Sequence, residues 1–246
     1  MEKEKTSGTK LQILNRDTIK YIAMFTMLLN HIAHTLLTHG TPLYEIFEDI
    51  GYFTAPVMCF FMVEGYDYTR SKMKYGMRLF LFAIISQVPY TMAFHFGNLN
   101  MIYTLFCCFM ILVVMEKVQN TWLRAALCTV LLLVTVVGDW ALLAAFFTIL
   151  FHNSKGNRKK TIISFGVAYV VFVVFNVQSY MYGVQGNWTS YAVAHAMLSG
   201  LGIIAAGVAV LVLYNGRRAE KARNFSKWFF YLFYPAHLLI LALIAN

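Results

Sequence analysis

Charged residues are scarce in this sequence of 246 residues. They make up 13% of the chain, whereas ordinary soluble domains contain about 25%. Hydrophobic residues make up 59%, so the chain has too little polar surface to cover itself in water. This balance excludes a disordered chain, a fibrous protein and almost any soluble fold. We therefore expect a protein embedded in the lipid bilayer.

The sequence also lacks the patterns of metal sites, disulfide frameworks and cleaved leaders. Its four cysteines lie in apolar runs without metal-ligand spacing, which favours small core residues and predicts no metal. The polar start of the chain has no short apolar region followed by a small-residue cleavage site, so we expect no cleaved signal peptide. No internal repeat is evident, which disfavours transporters built from duplicated halves.

Nine apolar stretches are candidates for membrane-spanning helices, which take about 20 residues each. They cover residues 18–38, 44–67, 77–96, 99–117, 121–137, 139–152, 161–178, 188–214 and 227–245. The expected fold is therefore all-α, a polytopic helical bundle with about nine transmembrane helices. A short N-terminal segment, residues 1–17, precedes a single transmembrane domain, residues 18–246.

Lysine and arginine are absent from every second connection between these stretches. All 20 lie at the N-terminus or close to the connections after the second, fourth, sixth and eighth spans. The positive-inside rule then predicts a cytoplasmic N-terminus and an external C-terminus. One helix over residues 125–151 would break this pattern, so we expect the chain to reverse near Gly138, Asp139 and Trp140. Because topology accounts for the net charge of +9, we expect no nucleic-acid partner.

The first span contains polar groups that are costly inside a membrane, at roughly 2.5–3.5 kcal/mol for a charged one. His31 follows Asn30 in the middle of the span, and Lys20 lies eleven residues earlier. That spacing puts Lys20 and His31 on one helix face, roughly 16 Å apart along the axis. A buried histidine with a structural role is one interpretation, and a functional site reached from the cationic end is the other.

Glu64 lies near the cytoplasmic end of the second span, ahead of Arg70 and Arg78. Interfacial ion pairs explain this pattern, with Glu64 paired to Arg70 or Lys74. A cationic collar that binds a phosphate-bearing ligand explains it equally well. Further polar residues within or beside the spans are Gln87, Asn100, Asp139, His195 and His237. Kinks, caps and turns account for several of them, but scattered ionisable groups in the outer half of the membrane favour a function.

Several segments carry a family pattern. They are residues 20–32 (KYIAMFTMLLNHI), Gly51 to Arg70, Tyr75 to Pro89, Asn100 to Thr104, Asp139-Trp140, and Tyr231 to Leu238. Taken together they resemble the TraX family of membrane acyltransferases over most of the chain. The spacing of Lys20 and His31 is also similar to a basic-x10-His signature of the wider transmembrane acyltransferase superfamily. The sequence departs from the family pattern at Asn30, where aspartate is usual, and at Tyr52, where arginine is usual.

The resemblance implies an acetyltransferase that uses acetyl-CoA from the cytoplasm, in the inner membrane of a bacterium. Lys20, Arg70, Arg78 and Gln87 are then the candidates for binding the cofactor. His31 is the candidate base or acyl carrier, and Asn30 the group that stabilises the oxyanion or fixes the imidazole tautomer. Substrate or second-shell roles fall to Glu64, Asn100, Asp139, His195 and His237. The acceptor is an amine or hydroxyl of a pilin-like peptide, a glycan or a small amine.

Two alternatives to the acyltransferase hypothesis stay open. One is a proton-coupled transporter or exporter that uses His31, His195 and His237 as a relay. The other is an inactive family member that serves as a scaffold and binds neither ligand.

Overall fold

The structure is a computed structural model that describes residues 11–95, 97–181, 188–221 and 223–245. Within these ranges the chain is mostly helical and contains no strand. The helices are α1 (Arg16–Leu36), α2 (Pro42–Gly51), α3 (Thr54–Tyr68), α4 (Lys72–Phe94), α5 (Met101–Lys117), α6 (Thr121–Val134), α7 (Leu143–Ser154), α8 (Arg158–Met181), α9 (Trp188–Ser199), α10 (Leu201–Val208) and α11 (Arg223–Ala245). A 3₁₀ turn extends α6 to Val137, and a π-helical turn extends α10 to Leu213.

These helices confirm the predicted polytopic α-helical bundle with nine spans. The second span consists of α2 and α3, and the eighth of α9, α10 and the π-helical turn. Five stretches are long and apolar enough to cross a membrane: Pro42–Tyr68, Lys72–Phe94, Arg158–Gln178, Ser190–Leu213 and Arg223–Ala245. Of the predicted N-terminal segment, residues 1–10 lie outside the described residues, as do 182–187 of the seventh-to-eighth connection.

The chain reverses between α6 and α7, as the charge pattern predicts. The Leu99 and Asp139 backbones pair here, with the Asp139 N–H donating to the Leu99 carbonyl at 2.7 Å. The Thr104 hydroxyl, in the first turn of α5, donates to the Asp139 carbonyl at 2.6 Å. At the other end of α7, Lys155 forms an ion pair with Asp67 at 2.6 Å. The short helices α6 and α7 therefore cross the bundle in opposite directions.

The connections that carry lysine and arginine meet at one end of the bundle. The Arg16 backbone N–H donates to the Arg217 carbonyl at 2.8 Å, and the Arg16 guanidinium lies 3.5 Å from Glu64. Lys155 and Asp67 join the connection after α7 to the end of α3. We call this end, which holds residues 14–17, 67–72, 154–158 and 214–218, the basic end. The side of the membrane that it faces stays a prediction.

The junction between α2 and α3 packs directly against α10 at Gly202, where no side chain separates the two backbones. A Cβ atom placed on Gly202 of α10 would lie 2.8 Å from the Phe53 backbone nitrogen and 2.9 Å from the Asp49 carbonyl oxygen. Neither atom belongs to a flexible side chain, so any larger residue must push the two segments apart. This contact fixes α2 at the end of the bundle opposite the basic end.

Gly202→Ala should therefore lower the free energy of unfolding by about 1–3 kcal/mol, as overpacking of a close contact does. Thermal unfolding in detergent measures the effect. Gly166→Ala is the matched control, because a Cβ on Gly166 of α8 meets nothing within 4 Å. The control should unfold at the wild-type temperature or above it, since alanine favours a helix more than glycine does. Equal unfolding temperatures for both variants would contradict the close packing.

Candidate active site

A cavity of about 330 Å³ lies between α1, α3, α4, α5 and α11. Its volume is within the range of small-molecule binding sites. Most of its basic lining residues belong to the basic end or to the adjoining turns of the helices. They are Arg16, Lys20, Arg70, Arg78, Arg218 and Lys227. The structure thus brings together three of the residues predicted to bind the cofactor, namely Lys20, Arg70 and Arg78.

Acidic groups beside the cavity are already engaged, so its mouth keeps an excess of positive charge. Glu64 pairs with Arg16 at 3.5 Å and accepts a hydrogen bond from the Tyr214 hydroxyl at 2.7 Å. The expectation that Glu64 pairs with Arg70 or Lys74 is wrong, because Arg16 approaches it from the start of α1. The Asp17 carboxylate accepts from the Ala219 backbone N–H at 2.8 Å.

Two of the cations are held over aromatic rings and keep donors free. The Lys20 ammonium lies 4.1 Å from the ring centre of Phe230. The Arg78 guanidinium lies 5.7 Å from the ring centre of Tyr75 and 5.9 Å from that of Tyr231. The buried Nε of Arg78 has no hydrogen-bond partner in the described part of the chain. A guanidinium with an unpaired donor is suited to an anionic group such as a phosphate.

The inner end of the cavity is formed by Met27, Met101 and Tyr234. His31 lies four residues beyond Met27 on α1, and His237 three residues beyond Tyr234 on α11. Since four residues make about one helical turn of 5.4 Å, the two histidines lie about one turn past the end of the cavity. Neither of them lines the cavity itself.

His31 and His237 form a buried pair. Their rings are nearly coplanar, with an interplanar angle of 8°, and His31 Nδ1 lies 2.6 Å from His237 Nε2. Each residue is 6% exposed. The Phe94 ring lies at 5.1 Å and the Tyr234 ring at 6.0 Å from the His31 ring, both edge-on. The structure therefore joins the two intramembrane histidines of the first and last spans.

The hydrogen bonds of the pair fix its tautomers. His237 Nδ1 lies 2.7 Å from the Phe233 carbonyl, which can only accept, so this nitrogen carries the proton. Buried imidazoles are favoured in the neutral form. Nε2 of neutral His237 then accepts from Nδ1–H of His31. The lone pair of His31 is left on its Nε2, which makes no hydrogen bond to a described residue. His237 thus orients the His31 ring so that Nε2 carries the lone pair.

Asn30 makes contacts of a different kind from those predicted. Its side-chain amide donates to the backbone carbonyl of Glu48 at 3.2 Å. A Cβ on Gly51 would clash with the Asn30 Cβ, so α1 and α2 touch at this point. The described hydrogen bonds of Asn30 therefore hold α2 against α1 and do not reach either imidazole of the pair.

Gln87 and Asn100 lie together, away from the cavity. Gln87 Oε1 accepts from the Asn100 backbone N–H at 3.0 Å and from its side-chain amide at 2.8 Å. Asn100 also caps α5 by accepting from the Ile102 backbone N–H at 3.0 Å. The structure thus separates Gln87 from the other residues predicted to bind the cofactor and places it in the support of α5.

The sequence does not predict a cluster of acids and histidines that lies at the end of the bundle opposite the basic end. His195, which the sequence analysis singled out, lies 3.1 Å from Glu45 and so belongs here. Glu48 lies 3.4 Å from His34, whose Nδ1 is 2.9 Å from the Tyr44 hydroxyl. The available signal was the set of three acids within five residues at the start of the second span, because ionisable residues in a span are costly and need polar partners.

Asp139 lies in the connection between the 3₁₀ turn and α7, outside the spanning helices. Burial raises the pKa of its carboxyl from 3.8 to about 6, while the Trp140 backbone N–H and His34 oppose that rise less strongly. Asp139 thus lies near His34, at the end of the bundle opposite the basic end.

The fold and the site define a polytopic helical membrane protein with a cationic cavity and a buried imidazole pair beyond its inner end. The chain belongs to the TraX family, because residues 15–245 match the family described as TraX protein. It is also similar to a protein of Dichelobacter nodosus described as "Probable fimbrial assembly protein FimC, serogroup H1". The two are 27% identical over 239 residues, which cover 91% of this chain and 92% of the relative. No solved structure matches the chain significantly.

The raised pKa of Asp139 predicts a pH-dependent contribution to stability. The folded state binds the proton more tightly than the unfolded state, so this contribution falls as the pH rises from about 4 through about 6. The slope approaches about 1.4 kcal/mol per pH unit within that window. Asp139→Asn removes the titration, and its unfolding temperature relative to the wild type should rise between pH 4 and pH 7. A difference that does not change with pH would contradict the raised pKa.

Proposed function

We propose that this protein is a membrane-embedded acyltransferase. It takes an acyl group, in the first place acetyl, from acyl-CoA bound in the cavity at the basic end. It transfers that group to an amine or hydroxyl that reaches the His31–His237 pair from the opposite end. The observation that carries the proposal is the position of this pair, one helical turn beyond a cavity with six cationic lining residues.

The cavity suits a donor with a phosphate-bearing head and a narrow arm. Arg70, Arg78 and Lys20 offer charge-assisted hydrogen bonds to phosphates at its mouth. The deeper lining is apolar, with Met24, Met27 and other aliphatic side chains. Lys20 and Met27, which lies at the inner end of the cavity, are roughly 10 Å apart along α1, within the reach of an extended pantetheine arm. The thioester of the donor then lies at the inner end of the cavity.

The one-turn gap between the cavity and His31 favours a base over an acyl carrier. A nucleophilic atom needs about 3 Å to the base and about 3 Å to the carbonyl carbon that it attacks. A separation of one turn, about 5.4 Å, therefore leaves room for the acceptor between His31 Nε2 and the thioester. Direct attack by the imidazole would need contact between the two.

His31 carries the proton from the acceptor to the leaving thiolate, so every bond and proton in the proposed transfer is accounted for. The acceptor nitrogen or oxygen bonds to the carbonyl carbon while His31 Nε2 takes its proton. The carbon–sulfur bond breaks, and the proton passes from His31 to the leaving thiolate. His237 keeps its Nδ1–H on the Phe233 carbonyl and stabilises the imidazolium through the 2.6 Å contact.

The opposite end favours a cationic acceptor. Glu45, Glu48 and Asp49 lie together on α2, where carboxylates attract a protonated amine. A carboxylate there takes the extra proton, so the neutral amine reaches His31 with the imidazole still free to accept the proton released during attack. The relative described as a probable fimbrial assembly protein supports a role in pilus or fimbria assembly, with a pilin-like peptide as the acceptor. In this proposal the basic end is cytoplasmic, as the positive-inside rule predicts, and the protein lies in a bacterial inner membrane.

His31→Ala should abolish transfer of labelled acetyl from acetyl-CoA by the purified protein, because it removes the base. Loss of a general base typically costs about 10²–10⁴-fold. His152→Ala is the control, since His152 lies near the end of α7 and does not line the cavity. His31→Ala should unfold at a lower temperature, because His237 loses its buried partner, whereas His152→Ala should stay near the wild type. Activity is therefore compared at a temperature at which both variants are folded. Full transfer activity in folded His31→Ala protein would overturn the proposal.

Arg78→Gln should weaken the binding of CoA by about 10- to 100-fold, the effect of losing hydrogen bonds to a charged group. CoA binds only the folded state, so it raises the unfolding temperature of the wild type, and less so that of the variant at the same concentration. Lys160→Gln is the control, because Lys160 is exposed on α8 outside the cavity. An unchanged shift in Arg78→Gln would place the CoA site elsewhere.

A further inference from the structure

Tyr234 occupies the boundary between the cavity and the imidazole pair. Its side chain lines the inner end of the cavity, and the residue is 4% exposed. Its ring centre lies 6.0 Å from that of His31 and 5.7 Å from that of His237. A thioester at the inner end of the cavity therefore contacts Tyr234 before it approaches either histidine.

The Tyr234 hydroxyl is held by a donor and leaves its own proton available. Its oxygen accepts the backbone N–H of Met101 at 3.2 Å. No acceptor for the phenolic proton is found among the described residues. Because Met101 is the first residue of α5, the hydroxyl lies at the positive end of the α5 helix dipole. The Asn100 side chain takes the next two N–H groups, so the Met101 N–H is kept for Tyr234.

We propose that Tyr234 is a further catalytic residue, which donates its O–H to the carbonyl oxygen of the thioester. This inference rests on the proposed acyl transfer. When the acceptor bonds to the carbonyl carbon, the carbonyl π electrons move to oxygen, and the Tyr234 O–H stabilises that oxyanion. When the carbonyl re-forms, the carbon–sulfur bond breaks and the thiolate leaves with the proton from His31. The Tyr234 proton stays on the phenol, and the Met101 N–H strengthens it as a donor.

The position of Tyr234 favours a catalytic role over a purely structural one, in which its hydroxyl only caps the N-terminus of α5. A cap needs only the oxygen lone pair that faces Met101. A hydroxyl that served α5 alone would have no reason to line the cavity between the donor site and the base. A hydroxyl donor at this boundary is near the place where negative charge develops during transfer.

Tyr234→Phe tests the proposal by removing the hydroxyl and keeping the ring. The kcat for acetyl transfer should fall by about 100- to 1,000-fold, as after the loss of an oxyanion donor. The KM for acetyl-CoA should stay within about threefold, because the phosphate-binding cations are unchanged. Tyr169→Phe is the matched control: it also loses one hydroxyl–backbone hydrogen bond, to the Met197 carbonyl at 3.3 Å, away from the cavity. It should keep the wild-type kcat.

Met101→Pro supplies a second variant in case Tyr234→Phe does not fold. Proline suits the first position of a helix, and Asn100 already has the extended φ of −69° and ψ of 165° that a residue before proline adopts. The variant removes the N–H that polarises the phenol, so kcat should fall by about 3- to 10-fold.

The outcomes distinguish this inference from the proposed function. A wild-type protein that transfers no acetyl group contradicts the acyltransferase and the role of Tyr234 together. An active wild type whose folded Tyr234→Phe variant keeps kcat within about threefold contradicts only the role of Tyr234. If Tyr234→Phe does not fold, a wild-type kcat in Met101→Pro overturns the role in the same way.

Discussion

The hydrogen bond between His31 and His237 joins the first and last spans of the protein. The two helices run in the same direction, since Tyr21 contacts Ser226 near the basic end and His31 contacts His237 further along. A polar pair inside a membrane has no water to replace a lost partner, so each imidazole depends on the other. The cavity lies against this seam, because α1 and α11 supply Lys20, Met27 and Tyr234 to its wall. The packing of the first span on the last, beside the cavity, thus depends on one contact between residues 206 positions apart in the chain.

At the basic end, the same lysine and arginine residues set the membrane topology and line the cavity. Lysine and arginine must stay out of the hydrocarbon region, and they gather at the ends of alternate spans for that reason alone. The connections that carry them meet at one place, where most nearby carboxylates are already bound, as Glu64 is by Arg16 and Tyr214. Arg78, whose Nε has no hydrogen-bond partner among the described residues, faces the cavity. The residues that carry the topological signal in the sequence therefore also give the cavity a cationic mouth.

The sequence predicts features that depend on local period and on charge, and it misses those that depend on partners. The nine spans and the reversal near Asp139 follow from hydropathy and from the positions of lysine and arginine. The helical repeat predicts that Lys20 and His31 share one helix face. It does not predict that His237 pairs with His31, or that His237 donates to the Phe233 carbonyl. Asn30 and Gln87 show the limit most clearly. Both are amides suited to a site, but the neighbours that the fold gives them, the Glu48 carbonyl and Asn100, make them supports. The acids of α2 form a cluster only through His34 and His195, which lie on other helices, so local spacing does not reveal it.

In the proposed acyl transfer, the separation of the cavity from the imidazole pair has a chemical use. A thioester in contact with water and an oriented base would be hydrolysed, whereas a thioester beneath the Tyr234 ring is kept from that base until an acceptor fills the gap of one helical turn. The same ring carries a hydroxyl that accepts the Met101 N–H, so the barrier and the polarising group are one side chain. In that proposal, exclusion of water and stabilisation of charge both depend on the packing of α1, α5 and α11 around Tyr234.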